Sequence, residues 1–266
     1  MSIVPCQRAR PKSQAGFTLV ELAIVMIIIG LLIGGVLKGQ QLITNAQIAA
    51  TVAQIKAIDA SMTSFRDQYA GVPGDLLTPN TRLSNCAAAP CNYAGNGDGR
   101  VGTASITFNA AVGALPGAGI TGEMVAFWAQ LNSAGLLTGI NPGVAGWGNY
   151  APASKIAGGG FEAGWNAGGT LFPVQSGGVA ANVLAGTYLA LHGTANAAMA
   201  ANTTDGFLKP NYAARIDTKI DDGEPFTGTV LAGGVAAGAA GCATGAGVYN
   251  ESIAGTGCSL YIQFQN

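Results

Sequence analysis

The chain has 266 residues, of which only 9% are charged, and a net charge of −1, so it offers neither a basic footprint for nucleic acid nor an acidic tail. Its 41 glycines, most of them after residue 94, and its many alanines indicate a loop-rich, tightly turning region rather than a helical bundle. The charge expected of a disordered tail is missing.

A short basic stretch comes first, with Arg8, Arg10 and Lys12. Then follows Gly16-Phe17-Thr18-Leu19-Val20-Glu21, and an apolar run continues to Leu37, broken only by that glutamate. A run of roughly 20 apolar residues spans a bilayer as a helix. An ionised carboxylate in such a helix is unfavourable by about 2.5–3.5 kcal/mol on insertion scales, so Glu21 needs a partner, best a positive charge created later. A secretory signal peptide accounts for a basic and an apolar region, with Gly34-Gly35 as its small-residue cleavage site, but it leaves Glu21 unexplained.

These residues closely resemble the prepilin signature shared by type IV pilins and the pseudopilins of type II secretion. The likeness covers about residues 8–70. It implies that residues 1–16 are a leader, that a prepilin peptidase cuts after Gly16 and methylates the new Phe17 amine, and that Glu21 is the acidic residue required for assembly. In a filament Glu21 would meet the Phe17 amine of a neighbouring subunit. The likeness also implies insertion in the inner membrane, an inner-membrane assembly platform, and packing with itself and related pilins into a periplasmic or cell-surface filament. Removing the leader leaves about 250 residues, enough for one domain with a real core or two small ones, and the long N-terminal helix favours one head domain.

From Phe17 to about Tyr69 there is no proline, and a single helix over residues 17–70 is expected. Residues 17–37 are apolar all round, which suits lipid before assembly and a filament core afterwards. Beyond them Ile48, Val52, Ile55, Ile58, Met62, Phe65 and Tyr69 recur at steps of three and four, placing one stripe against a partner surface. At about 1.5 Å per residue this helix would reach roughly 80 Å, more than a compact head over residues 71–266 can cover, so part of it is expected to project. Gly30, Gly34, Gly35 and Gly39 permit either close helix packing or local weakening. Many major type IV pilins carry a proline here, whereas the first proline after this leader is Pro73. That departure leaves open where such a helix melts and adds weight to a minor pilin or pseudopilin. Ala70-Gly71-Val72-Pro73-Gly74-Asp75 supplies a glycine stop and then a residue unable to continue the ladder.

Cys6 lies in the leader, leaving Cys86, Cys91, Cys242 and Cys258, an even count suited to an oxidising compartment. Of the three possible pairings, the local one, Cys86–Cys91 with Cys242–Cys258, is the simplest. The second bridge would close a loop of about 15 residues, worth roughly 3 kcal/mol, and it looks like the disulfide-bounded C-terminal region of many major pilins. The rival, a four-thiolate zinc site, is poorly served by spacings of C-x4-C and C-x15-C.

Cys86–Arg100 reads as a crosslinked loop, and Thr121 is placed to cap a helix over Glu123–Ala134 with Val125, Trp128 and Leu131 on one face and Gly135 ending it. Leu171–Val174, Thr187–Leu191, Thr229–Leu231 and Leu260–Phe264 read as short strands. The expected fold is α+β, type IV pilin-like, with a long N-terminal α-helix and a glycine-rich antiparallel β-sheet head.

No catalytic set stands out. His192 is the only histidine, Gly193-Thr194 offers it no activated nucleophile, and it reads as a surface or hydrogen-bonded residue at a strand end. Two acidic loops are candidates for calcium. Asn96-Gly97-Asp98-Gly99-Arg100 resembles part of a calcium loop, yet Ala94 and Ser105 stand where an EF-hand needs carboxylates. Asp217, Asp221, Asp222 and Glu224 gather four of the chain's thirteen acidic residues, and oxygen-only ligands suit a hard cation. The competing reading, an ordinary solvent-exposed turn, is favoured by the incomplete ligand sets, since Asp-Gly pairs favour turns regardless of metal. Trp147, Tyr150, Phe161 and Trp165, set among glycines and asparagines, offer an adhesive surface or the anchors of a loop-rich core. The expectation is a non-enzymatic filament subunit without an obligatory cofactor. A type II secretion pseudopilin or minor pilin, or a membrane-tethered adhesive head, stands as the alternative.

Overall fold

The computed structural model describes residues 16–102, 122–142, 144, 146–168, 183–193, 206–234, 241–244, 247–255 and 257–264. The leader up to residue 15, the Thr121 cap, Ser105 and the strand at Leu171–Val174 lie outside the described residues. The first element, α1 (Leu19–Tyr69), is one unbroken helix, and the chain divides within it into two compact units, one up to Asn45 and one from Ala46 onward.

In the first unit the apolar side chains from Phe17 to Ile43 are largely exposed. This part of α1 is long and apolar enough to cross a membrane.

In the second unit, one face of α1 is buried because its apolar residues return every three or four positions. Ile48, Val52, Ile55, Ile58, Met62 and Phe65 are all in the core, and Tyr69 packs against it. Thr51 shares that face and satisfies its hydroxyl on the Gln47 carbonyl, 2.9 Å away. The helix ends differently from the expected glycine stop. Ala70 takes the left-handed conformation, with φ 46°, and its N–H bonds to Arg66 O at 2.8 Å. Gly71 packs closely instead, and a Cβ there would stand 2.8 Å from Leu76 Cδ2, so the buried Leu76 side chain would have to shift. Arg82, in the short α2 (Pro79–Arg82), donates to the Tyr69 carbonyl left open by the helix end.

The helix expected after Gly122 is α3 (Glu123–Ser133), and its N-cap is Gly122, which contributes no side-chain cap. The expected one-sided burial is exceeded, because every residue from Val125 to Leu131 is buried, Gln130 included. Gln130 is tolerated there since it accepts from Gly74 N–H at 2.6 Å and donates to the Cys91 and Tyr93 carbonyls at 3.3 Å each.

Four strands, β1 (Gly160–Asn166), β2 (Gly186–His192), β3 (Val230–Gly234) and β4 (Cys258–Gln263), form an antiparallel sheet in the order β1-β2-β4-β3. The fold is therefore α+β and pilin-like, a long N-terminal helix with an antiparallel sheet. One sheet face, with Phe161, Ala163, Leu189, Leu191, Val230, Leu260 and Ile262, joins the α1 stripe and α3 in the main core. The other face, with Tyr188, Ala190, Leu231 and Tyr261, is covered by Val183, Phe226 and Ala243. Helix α4 (Pro210–Ile220) packs through Ala213 and Ile216, and two disulfides, Cys86–Cys91 and Cys242–Cys258, close loops on this frame. Neither β1 nor α4 was among the expected elements.

Candidate functional site

Gly16 and Phe17 precede α1 and are exposed, and Thr18 is the residue from which the helix starts. Its hydroxyl accepts the Glu21 N–H at 3.2 Å, and Glu21 Oε2 reaches back to the Thr18 N–H and hydroxyl, both at 2.9 Å. This is a reciprocal capping box, in which two backbone donors of the first turn are satisfied by side chains three residues apart. Thr18 was not singled out from the sequence, although Thr-x-x-Glu before an apolar run is the pattern that marks such a box. A carboxylate offers about four acceptor sites, so Glu21 keeps capacity for a further donor while being held against the helix start. That is the chemistry a positive group from outside the helix would meet.

The Asn96–Arg100 loop is organised around donors rather than as a cation cage. Asn96 Nδ2 donates to Asp98 Oδ2 at 3.1 Å, and Asp98 N–H returns to Asn96 Oδ1 at 2.9 Å. Asp75, buried beneath the loop, accepts Gly97 N–H on Oδ1 and Gly99 N–H on Oδ2, each at 2.7 Å. Glu123 accepts Asn96 N–H at 3.1 Å and Gly102 N–H at 2.6 Å. Burial holds the Glu123 carboxyl above its ordinary value; these two amides oppose the shift, and the nearby Asp75 and Asp98 charges add to it.

The second acidic cluster is not a loop throughout: Asp217 lies in the last turns of α4, and only Asp221, Asp222 and Glu224 follow the helix. Oxygen atoms of Asp217, Asp221 and Asp222 lie within 4.8 Å of one another. Asp217 is fully buried, accepting from the Tyr249 hydroxyl at 2.7 Å and from Gly223 N–H at 3.3 Å. Asp221 takes Thr229 N–H, the Thr229 hydroxyl at 3.2 Å and Val230 N–H at 3.2 Å. Asp222 takes Glu224 N–H at 2.9 Å and the Thr227 hydroxyl at 2.5 Å. Burial, reinforced by the neighbouring Asp222 and Asp221 charges, pushes the Asp217 carboxyl up to about 7 despite its donors. The three carboxylates provide the oxygen donors a hard cation takes. Sequence reasoning had Asp217 in this cluster but missed Tyr249, which comes from the loop closed by Cys242–Cys258.

His192 is not at the surface. It is buried at the end of β2, with Nε2 3.1 Å from Glu162 Oε2, close enough for an ion pair but not aligned as a hydrogen bond. Glu162 also accepts the Tyr150 hydroxyl at 2.6 Å, and the Trp147 ring stands edge-on to the imidazole. Tyr150 and Phe161 are buried, and Trp147 packs against the core, so these aromatics are anchors of the head. Trp165 is half-buried under the Arg100 guanidinium, 4.0 Å from the ring centre.

Residues 11–37 match the family model described as the prokaryotic N-terminal methylation motif. Comparison with curated proteins and with solved structures gives no match. With the motif at its start, a long apolar helix and an antiparallel sheet, the chain fits a type IV pilin-like family. The motif supports a structural type IV pilin or pseudopilin class, and with the apolar helix it is consistent with membrane anchoring before assembly.

Proposed function

We propose that this chain is a structural subunit of a type IV pilus or pilus-like filament, cut after Gly16 by a prepilin peptidase and methylated on Phe17. The observation that carries this reading is the coincidence of the methylation motif over residues 11–37 with a glutamate held at the head of an exposed apolar helix. Before assembly the helix sits in the inner membrane, where its apolar side chains are solvated by lipid. In the filament the same surface packs against related helices. Glu21, fixed by Thr18, receives the charged Phe17 amine of a neighbour, because an unpaired buried charge is strongly unfavourable and an assembly therefore settles in the register that pairs it. A pseudopilin or minor pilin uses the same device, and the proline-free α1 is the feature that favours that reading. The test is intact-mass analysis of the native protein. A chain starting at Phe17 with one added methyl group is expected; a chain still starting at Met1 in cells with active prepilin peptidase, or one cut after Gly35, overturns the proposal.

The same reading includes a calcium site in the head at Asp217, Asp221 and Asp222, supported by the close approach of their oxygens. The Asn96–Asp98 pair is not proposed as a site, since its side chains bond each other. Calcium should raise the melting temperature of the head, and the double variant Asp221→Ala, Asp222→Ala should lose that gain. Equal melting in calcium and in chelator would leave an ordinary turn.

A further inference from the structure

Asn96-Gly97 is the one Asn-Gly pair in the sequence, and Asp98-Gly99 follows it directly. Such pairs age chemically in water. The nitrogen of the following glycine loses its proton and bonds to the side-chain Cγ; the Cγ–Nδ2 bond of asparagine breaks and ammonia leaves with that proton. Water then opens the five-membered imide at either carbonyl, giving aspartate or isoaspartate. At aspartate, water leaves in place of ammonia and the product is isoaspartate. Glycine permits this because it places no side chain beside the attacking nitrogen, and an exposed turn supplies the water.

Here the two attacking nitrogens are those of Gly97 and Gly99, and both hand their protons to one buried carboxylate, Asp75, at 2.7 Å. The Asn96 carboxamide is also engaged on both of its polar atoms, with Asp98 N–H and Asp98 Oδ2. The loop is held close upon Asp75, since Gly95 lies against the Asp75 backbone where a Cβ would collide, and Gly95 N–H bonds to Leu76 O at 2.9 Å. A glycine nitrogen that lost its proton here would carry negative charge against the Asp75 carboxylate in a partly buried site. Attack therefore requires first breaking a charge-assisted hydrogen bond and then placing two negative groups together.

We propose that Asp75 is a chemical guard of the Asn96–Gly99 turn, blocking imide formation at both Asn96 and Asp98 by holding the two glycine amides. An unguarded turn would convert Asn96 into a carboxylate or an isoaspartate beside Asp98 and Glu123, adding like charge and an extra backbone atom where the loop is pinned. The guard matters for a head that stays outside the cytoplasm for long periods, and in that sense alone the inference rests on the filament reading.

The test uses the full chain in detergent, aged in warm, mildly alkaline buffer, with peptide mapping of Asn96 for the one-dalton gain and of both sites for isoaspartate. Asp75→Asn keeps one acceptor oxygen and turns an amide toward the other glycine, so it should speed conversion by about tenfold or more at whichever of Asn96 and Asp98 loses its acceptor. Asp75→Ala, which removes both oxygens, should speed it at both sites; no acceleration by either variant overturns the proposal. The wild-type chain unfolded in denaturant should convert at least as fast as the Asp75 variants. Glu123→Gln, which removes the charge and one of the two oxygens that accept Asn96 N–H and Gly102 N–H but leaves both glycine amides on Asp75, should stay near the folded wild-type rate. Conversion of the folded wild type as fast as the unfolded chain overturns the proposal, and so does equal acceleration by the Asp75 and Glu123 variants, which would make general loop order the protection. The N-terminal residue of the same samples reports separately on processing, so failure at Asn96 leaves the filament reading standing.

Discussion

Thr18 and Asp217 show how single side chains set local chemistry in this molecule. Thr18 caps α1 and orients Glu21. Replacing an N-cap threonine by alanine typically costs about 1 kcal/mol, so Thr18→Ala should loosen the first turn and leave Glu21 present but unheld. Its filament incorporation should fall below wild type yet stay above that of Glu21→Ala, read by subunit content of sheared filaments; Thr18→Ser, which keeps the hydroxyl, should restore it. Asp217 makes a different prediction. Its carboxyl rises from 3.8 to about 7, chiefly through burial, so the folded chain holds the proton between those values while the unfolded chain has released it. The stability contributed by this group is complete below the unfolded value and is lost as pH rises through about 7. With a chelator present, wild-type melting temperature should decline across that window relative to Asp217→Asn, whose neutral amide does not titrate there. Parallel curves would show that burial does not hold the proton. Calcium, where it binds, displaces that proton, so any gain from calcium should grow over the same interval.

At the level of elements, legibility followed the strength of the side-chain pattern. The α1 stripe was plain because seven apolar residues at helical spacing fall on one face; six of them are buried, and Tyr69 is partly buried against the same core. Phe65 is fully buried in that contact, and Phe65→Ala should destabilise a fragment starting at Ala46 by about 3–5 kcal/mol in denaturant titration. Lys56→Ala, at an exposed position of the same helix, should change it by less than about 0.5 kcal/mol. Strands β2 and β4 were recognisable from their apolar, β-branched and aromatic runs, but β1 was not. Its residues Gly160-Phe161-Glu162-Ala163-Gly164-Trp165-Asn166 include two glycines and a glutamate that local preference keeps out of strands, and only the pairing with β2 and the Tyr150 and His192 contacts make Glu162 acceptable there. Helix α4 was hidden by Asp217, which reads as a loop carboxylate until Tyr249 from a distant segment satisfies it. The clasp of Asp75 and Glu123 was illegible for the same reason, because its donors are backbone amides, which sequence does not distinguish.

The whole molecule joins two surfaces with opposite demands, an exposed apolar helix up to Asn45 and a head with its own core from Ala46. The unit from Ala46 buries its apolar side chains within itself, whereas the exposed helix needs lipid or other helices around it. Glu21 is where these demands conflict, since a carboxylate hinders insertion and yet sits in the segment that matches the methylation motif. If the helix were only an anchor, Glu21→Ala would leave the protein's behaviour unchanged or improved. If the helix is an assembly surface, the same variant should insert at normal or higher level, be cut after Gly16, and then fail to enter filaments, because the neighbouring Phe17 amine has lost its acceptor. The two outcomes separate when membrane level, processing and subunit content of sheared filaments or secretion complexes are measured in one strain lacking the wild-type subunit. Glu21→Gln sharpens the result, for it keeps the capping hydrogen bond to Thr18 through a carbonyl oxygen while removing the charge. Loss of assembly by both variants assigns the effect to charge pairing between subunits; loss by alanine alone assigns it to the ordered first turn. Normal assembly by the alanine variant would remove Glu21 from the register argument and move weight to the tethered head.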